Sequence, residues 1–316
     1  MIDVSVVVPA RDAAHLIEPL LRSLMGQRFE GEHEVIIVDN GSRDATADLA
    51  EASGMRVLRR PRGAGPGVAR NDGAAVARGR ILAFTDADCR PTSGWLRAGE
   101  LAGRAADVVQ GAVEPPPGAS IGPYDRTLSV REDYGLYPTA NLFVSRECFE
   151  RLGGFEDWAP ASDHPRGRPF GEDTWLVWRA RRAGAVVAFA PRALVHHAVL
   201  PGDARAYVTE LSRVGEFAAL VERIPELREA FCYRRWFHSP RSAAFDLAAV
   251  GLLAGLVTRR PAALTAAAPY ARLLAADARR WGRRRAAGIA ATRLAADAVA
   301  AIALARGSLE ARTLLL

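Results

Sequence analysis

Ile81-Leu82-Ala83-Phe84-Thr85-Asp86-Ala87-Asp88 is the stretch on which the fold assignment turns. Four apolar residues run into two carboxylates separated by one small residue. A β-strand that ends this way delivers both acids to the rim of a sheet. An acid pair at such a rim can hold a divalent cation, and a cation there can hold a diphosphate. A second acidic pair follows in Phe170-Gly171-Glu172-Asp173-Thr174-Trp175.

Working outward, Val4 to Val8 is a continuous apolar run closed by Pro9, the pattern of a buried strand. Leu16, Leu20 and Leu24 follow at helical spacing, with Ile17 and Leu21 beside them. Val35 to Val38 forms a second buried strand ending at Asp39-Asn40-Gly41-Ser42. Ser42 or Asp44 suits the N-cap of a helix running to about Ser53, with Gly54 as its stop. Arg56 to Leu58 is a third short strand, Gly63 to Gly67 a glycine-rich loop, and a helix follows to Ala77. Arg80 to Thr85 is the fourth strand. This alternation predicts a parallel, doubly wound α/β sheet. Ligands of such sheets sit beyond the carboxyl ends of the strands, where Pro9, Asp39 and Asp86 all fall.

Pro115-Pro116-Pro117-Gly118 breaks the pattern and opens a long connection to about Thr139. A strand over Asn141–Ser145, a short helix over Cys148–Leu152 closed by Gly153-Gly154, a helix over Thr174–Arg182 and a strand over Val186–Phe189 complete the first part of the chain. Asp157 to Arg168 is polar and rich in Pro and Gly, and is expected to be a mobile loop. After about Asp203 the pattern is helical. The expected organisation is therefore an α/β catalytic domain over 1–203 and a C-terminal helical region over 204–316.

With 316 residues, 49% hydrophobic and 25% charged, the chain can bury a sizeable core and is not disordered. All 42 basic residues are arginine, and heavy Arg and Ala usage matches a GC-rich bacterial genome. The net charge of +6 suits an anionic partner: a nucleotide sugar, an anionic lipid or a nucleic acid. Cys89, Cys148 and Cys232 have neither CxxC nor zinc spacing and are expected to be free, buried thiols of a reducing cytosol. No charged or apolar leader precedes Val4, so no signal peptide is expected. No internal repeat is present.

The acid pairs suit glycosyl transfer from a nucleotide donor. As the sugar–oxygen bond breaks, charge builds on the leaving diphosphate, and a divalent metal stabilises it. Asp88 is the candidate direct ligand, and Asp86 binds a ribose or reaches the metal through water. Turn chemistry alone also produces such a pair. Asp173, with Glu172 as the alternative, is the candidate base for the acceptor hydroxyl, a role worth roughly 10²–10⁴-fold. Helix N-terminal capping accounts for Asp173 almost as well. His196-His197 offers a neutral ring nitrogen to the metal, or is a plain surface or core pair.

The ordered set Val6-Val7-Val8-Pro9-Ala10-Arg11, Val38-Asp39-Asn40-Gly41-Ser42, Ala69-Arg70-Asn71 and Thr85-Asp86-Ala87-Asp88 resembles the opening of family 2 glycosyltransferases. Asn141-Leu142-Phe143, Leu152-Gly153-Gly154-Phe155, Gly171-Glu172-Asp173 and Pro191-Arg192-Ala193-Leu194-Val195-His196-His197 continue it over roughly residues 1–200. The resemblance implies a GT-A fold (a Rossmann-like mixed sheet flanked by helices), a nucleotide-sugar donor, Mg or Mn, and inversion at the anomeric carbon. It further implies that Pro9, Arg11 and Asp39 hold the nucleotide, that Arg70 lies near the base or diphosphate, that Asp86 and Asp88 take ribose and metal, and that Asp173 is the base. The family's histidine lands on His197. UDP- or dTDP-linked sugars are the expected donors and a lipid-linked or secondary-metabolite hydroxyl the acceptor, with no nucleic-acid partner. Asp12 stands where the family often has Asn. Cys232-Tyr233-Arg234-Arg235-Trp236 has Cys in the Gln position of the QxxRW element of processive members, so a single sugar addition is expected.

Two other readings compete. One is a catalytically silent nucleotide-binding scaffold at the membrane surface. The other is a nucleotidyltransferase, although Pro9-Ala10-Arg11-Asp12 lacks the glycine pattern that chemistry uses. In the helical region, Ala243 to Val257 is an apolar run interrupted by Asp246, about 22 Å as a helix against about 30 Å of bilayer hydrocarbon. It is too short to span comfortably. Flanked by Arg259-Arg260 and by Arg279, Arg280, Arg283, Arg284 and Arg285, it suits an interfacial helix, a helical cap or a homodimer interface. The expected location is cytoplasmic, peripheral at the inner face of the plasma membrane. An i,i+4 pair between Arg293 and Asp297 is expected on the last helix.

Overall fold

The computed structural model describes residues 2–61, 64–156 and 170–316. Gly63 of the glycine-rich loop and the expected mobile loop Asp157–Arg168 lie outside them. The chain divides into two compact units. The first takes in residues 2–119, 127–156 and 170–199, the second residues 120–126 and 200–316.

The first unit is an α/β sandwich on the GT-A plan. In chain order it holds β1 (Val4–Ala10), α1 (Ile17–Met25), β2 (His33–Asp39), α2 (Thr46–Ala52), β3 (Arg56–Arg59), α3 (Pro66–Val76), β4 (Ile81–Phe84), β5 (Cys89–Pro91), α4 (Trp95–Gly103), β6 (Val108–Glu114), β7 (Leu142–Ser145), α5 (Arg146–Arg151), α6 (Glu172–Arg182) and β8 (Val187–His197). One eight-stranded sheet runs in the order β3-β2-β1-β4-β7-β6-β8-β5. The strands β3-β2-β1-β4 are parallel, as the apolar runs predict. The far half is not: β7 runs antiparallel to both β4 and β6, and β5 antiparallel to β8. The alternation over the first four strands thus gives the parallel half, and the whole sheet is mixed, as the GT-A resemblance implies.

The reason lies in the connections. Parallel neighbours need a helical crossover, which α1, α2 and α3 supply in the first half. Beyond β4 the chain turns at once into the three-residue β5, and β7 enters from a 3₁₀ turn at Thr139–Asn141. The strand expected to stop at Phe189 runs on to His197. Its register with β6 slips between Gly111 and Ala112, so that Pro191, Arg192 and Ala193 bulge out of the ladder. Proline is tolerated there because a bulge has no ladder bond for it to break. Buried Asn141 fills the gap: its amide donates to the carbonyls of Ala112 and Ala193, both at 2.7 Å, and its oxygen accepts the Trp95 indole N–H.

Helix boundaries follow the sequence closely, but their caps differ. The N-cap position of α2 is Ala45, but Asp44 Oδ1, one residue earlier, accepts the amide of Thr46, the helix's first residue, at 3.0 Å; Ser42 does not cap it. Ser42 Oγ and Asp44 Oδ2 accept the amides of Asp12 and Ala14 at 3.0 Å, tying the loop after β1 to the loop after β2. Asp12 sits at φ +49°, in the left-handed region that Asn and Asp tolerate best, and accepts the Arg43 amide at 2.8 Å. Both side chains offer the acceptor this turn needs, so Asp serves in place of Asn. Gly54 ends α2 at φ +74°. All three cysteines are free and buried.

The second unit is helical: α7 (Ala204–Leu211), α8 (Glu216–Arg223), α9 (Leu227–Ala230), α10 (Pro240–Thr258), α11 (Ala268–Arg280) and α12 (Arg283–Glu310). A capping box between Ser239 and Ser242 starts α10. Asp297 does not pair with Arg293 along α12. It accepts Arg241 Nε at 2.7 Å and the Tyr270 hydroxyl at 2.6 Å, cross-linking three helices, while Arg293 donates to Tyr207 and to the Pro123 carbonyl. By length and composition α10 and α12 are both long and apolar enough to cross a membrane, which extends the shorter run read from the sequence.

A Cβ at Gly111 would collide with the Asn141 amide and the Ala193 carbonyl, neither of which can retreat without breaking the bulge. Gly111→Ala is therefore expected to cost about 1–3 kcal/mol in urea denaturation, whereas Gly118→Ala, in open space though at positive φ, should cost less.

Candidate active site

The carboxyl edge of the parallel half gathers the predicted residues by register. Ala10 on β1 pairs with Asp39 on β2, and β4 ends beside β1 so that Thr85–Asp88 emerges at the same rim. Pro9 sits within the last turn of β1. Arg11 is exposed and 3.7 Å from Asp12, a surface pair of little energy. Asp39 is buried and accepts the Ser42 amide at 3.2 Å. Next to it, Asn40 exchanges two hydrogen bonds with the backbone of Ala64, pinning the glycine-rich loop.

Arg70, on α3, is the hub. It is 4% exposed. One terminal nitrogen donates to Asp86 Oδ1 at 2.7 Å, the other to Glu172 Oε1 at 3.3 Å, and its guanidinium lies 5.8 Å from the centroid of the Phe155 ring. The two acidic pairs are thereby tied through one cation. Burial works against the Arg70 charge, but the flanking carboxylates of Asp86 and Glu172 outweigh it and raise the pKa, so the guanidinium stays charged.

A second tie runs beside it. Thr85 Oγ1 donates to the Ala140 carbonyl at 2.8 Å, and the adjacent Thr139 amide donates to Asp173 Oδ2 at 3.2 Å. Asp173 Oδ1 accepts the Thr174 amide at 2.7 Å, a bond of the first helical turn. Helix capping and site geometry therefore share this residue, although the N-cap position itself is Gly171, at φ +75°. Asp173 keeps a partial opening to solvent, yet the surrounding protein withdraws its carboxyl from bulk water. That burial, reinforced by the neighbouring Glu172 charge, raises its pKa to about 7 against the pull of Arg70 and the two amides. Tyr134, half-buried, feels the Asp173 charge in turn, and its phenol is raised to about 12, chiefly by burial.

His197 reaches the rim because β5 and β8 are antiparallel, with Cys89 opposite His197 and the Ala198 amide bonded to the Asp88 carbonyl at 2.8 Å. Its Nε2 lies 3.5 Å from Asp88 Oδ2, and its Nδ1 lies 2.7 Å from the Ala198 carbonyl. A carbonyl can only accept, so Nδ1 carries a proton, and Nε2 is the ring nitrogen that faces Asp88. His196, one residue earlier on the strand, points to the other face. A carboxylate and an imidazole nitrogen on the same side of the rim are a donor set that would fit a divalent cation. Among the described residues no group of three His, Cys, Asp or Glu side chains gathers as a ready-made cation cage, so the remaining ligands would have to come from substrate and water.

Arg179 donates to the carbonyls of Leu152 and Gly154 and pairs with Glu156, holding the turn after α5. Arg182 lies over the Trp175 ring. The bridge from Arg70 to Glu172 and the role of Asn141 in shaping the β6–β8 bulge were not anticipated from sequence. Arg70 and Asn141 lie in motifs that the sequence displays, Ala69-Arg70-Asn71 and Asn141-Leu142-Phe143, but neither motif names the partner the fold supplies.

Residues 5–134 match the model described as Glycosyl transferase family 2. Glycosyltransferase AglE of Haloferax volcanii is 31% identical over 214 residues, covering 63% of this chain and 67% of that protein. The pre-mycofactocin glycosyltransferase of Mycobacterium tuberculosis is 29% identical over 62% of this chain, but the match spans only 42% of its own length. Among solved structures, the mannosyltransferase PcManGT from Pyrobaculum calidifontis, in complex with GDP-Man and Mn2+, aligns with a TM-score of 0.59 at 20% identity over 97% of this chain and 86% of its own. S. aureus TarS in complex with UDP-GlcNAc aligns with a TM-score of 0.51 at 17% identity over 99% and 93%. At such identities the solved structures speak to the fold, and the sequence relatives to the family. Taken with the mixed sheet and the two acidic pairs at its rim, they show that this chain belongs to glycosyl transferase family 2.

Proposed function

We propose that the chain transfers one hexosyl group, with inversion, from a UDP- or dTDP-sugar to a hydroxyl on a lipid-linked glycan or a secondary metabolite. The observation that carries this reading is the Arg70 bridge, which ties Asp86, beside the candidate cation ligand, to the helix that bears the candidate base. Asp39, with Pro9 and Arg11 beside it, is the nucleotide-binding edge. Asp86 is oriented by Arg70 toward the ribose. Asp88 and His197 Nε2 would hold Mg or Mn, which when bound neutralises charge on the leaving diphosphate.

Asp173 takes the proton of the acceptor hydroxyl as the oxygen attacks the anomeric carbon. Two backbone amides fix its orientation, and its raised pKa makes it a stronger base than a surface aspartate. Glu172, paired with Arg70, is the structural member of the acidic pair. Arg70, spent on two carboxylates, acts as a positioning residue.

Release of free nucleoside diphosphate from a panel of nucleotide sugars, with Mn or Mg added, tests the reading. Asp88→Asn is expected to lower turnover roughly 10²–10³-fold, and undiminished turnover would refute the cation role. Asp173→Asn should lose about 10²–10⁴-fold in kcat with little change in donor KM. A base works only when deprotonated, so the raised pKa places the acidic limb of the rate profile near pH 7, with activity falling as the pH drops below it. A limb near pH 4 in the wild type would remove Asp173 from the role. Arg70→Met leaves buried Glu172 without its countercharge and is expected to cost about 3–5 kcal/mol in denaturation. Arg70→Lys should not restore activity, because one ammonium cannot reach both acids as a planar fork does.

A further inference from the structure

Helix α10 buries only Ala248 and Gly251 of its 19 residues. Its outward side chains are large and apolar: Leu247 is 50% exposed, Val250 63%, Leu253 63%, Leu256 76% and Val257 83%. The helix closes on the 3₁₀ turn Pro261–Ala267 through two glycines four residues apart. A Cβ at Gly251 would press on Ala266 and the Ala263 carbonyl, and one at Gly255 would touch Leu264. Small residues thus make the seam, which leaves the leucines and valines facing outward. A continuous apolar face of this extent on a water-facing helix marks an interaction surface.

Charge says what covers it. Residues 204–316 hold eighteen arginines against nine carboxylates, a net +9 where the whole chain carries +6, so residues 1–203 are net negative. Arg259 and Arg260, both exposed, close the apolar face. We propose that α10 and the turn folded against it lie in the plane of an anionic bilayer, with the apolar face in the acyl boundary and Arg259 and Arg260 on the headgroup phosphates. A second copy of the chain is a poorer occupant, since it would set the same arginine-rich surface against itself. Crossing the bilayer, which the length and composition of α10 would allow, fits its charges less well than lying flat. Between Asp246 and Arg259 only twelve residues are uncharged, about 18 Å of helix, and the hydrocarbon core is about 30 Å thick. A transverse helix would drag Asp246 or Arg259 into hydrocarbon.

The anchor needs nothing from the proposed reaction, and its test reads binding rather than turnover. The full chain is floated with vesicles of phosphatidylcholine alone or mixed with phosphatidylglycerol. It is expected to float with the mixed vesicles and much less with the neutral ones. The double variant Leu253→Glu, Leu256→Glu should lose partitioning by about tenfold or more while keeping its far-ultraviolet dichroism. The pair Arg259→Gln, Arg260→Gln leaves the apolar face intact and should weaken binding to anionic vesicles by roughly fivefold per arginine, with a shallower salt dependence. It decides the matter if the leucine variant does not fold. Failure of the wild type to float with anionic vesicles, or undiminished flotation of either variant, overturns the anchor. A lipid-free wild-type dimer that the leucine variant splits, without vesicle binding by the wild type, would reassign the face to self-association.

Discussion

A single buried guanidinium organises the catalytic half of the molecule. Arg70 is fully withdrawn from water between Asp86, at the end of β4, and Glu172, in the first turn of α6. An ion that deep is costly unless it is paired, and two carboxylates take its two terminal nitrogens, while its Nε is buried without a hydrogen-bond partner. The consequence is geometric. The end of the central strand and the start of a helix that arrives much later in the chain are locked to one atom group, and the Thr85–Ala140 and Thr139–Asp173 bonds repeat the lock through the backbone. The electrostatic consequence matters as much. Asp86, Asp88, Glu172 and Asp173 crowd one rim with a single interior cation among them. Burial first, and the neighbouring Glu172 charge second, push the Asp173 pKa upward. The same crowding of carboxylates would repel an anionic diphosphate, which is the physical ground for the proposed cation beside Asp88.

What could be read in advance follows from which interactions are local. Val4–Val8, Val35–Val38 and Ile81–Phe84 declare themselves because strands buried on both faces read as unbroken apolar runs. Their register then carries Pro9, Asp39 and Asp86 to one edge without further information. The antiparallel half hid itself. β5 has three residues, β6 carries Gln110-Gly111 in its middle, and β8 passes through Pro191. Each breaks a strand pattern, and each is rescued by a tertiary partner: Gln110 donates to the Asn141 carbonyl at 2.8 Å, and the bulge at Gly111 absorbs the proline. A polar residue satisfied from across the sheet cannot be told from a loop residue in one sequence.

The same distinction explains the arginines. Arg70 and Arg179 look alike in sequence, each on a helix near a motif. One proves to be the bridge between the acidic pairs, the other a clasp on the Leu152–Gly154 turn. Asp297 shows the limit from the other side: helical spacing offered it Arg293, but the fold gave it Arg241 and Tyr270 from two other helices. A buried carboxylate gains more from charge-assisted bonds to desolvated donors than from an exposed i,i+4 partner worth a few tenths of a kcal/mol, about 0.2–0.5 in isolated helices.

The charge distribution along the chain completes the picture. A net-negative catalytic region and a strongly positive helical region have opposite requirements. The first concentrates carboxylates at one rim, around the buried Arg70 guanidinium. The second spreads arginines around helices whose apolar faces the protein itself does not cover. A helix that is apolar all round belongs either in a core or against lipid. Because α10 closes on its neighbour through glycines and turns its leucines outward, the core explanation fails for it. Arg241 and Asp297 fix the start of that helix to α12 while its far end carries Arg259 and Arg260, so the apolar face is held open by a polar anchor at one end and bounded by charge at the other.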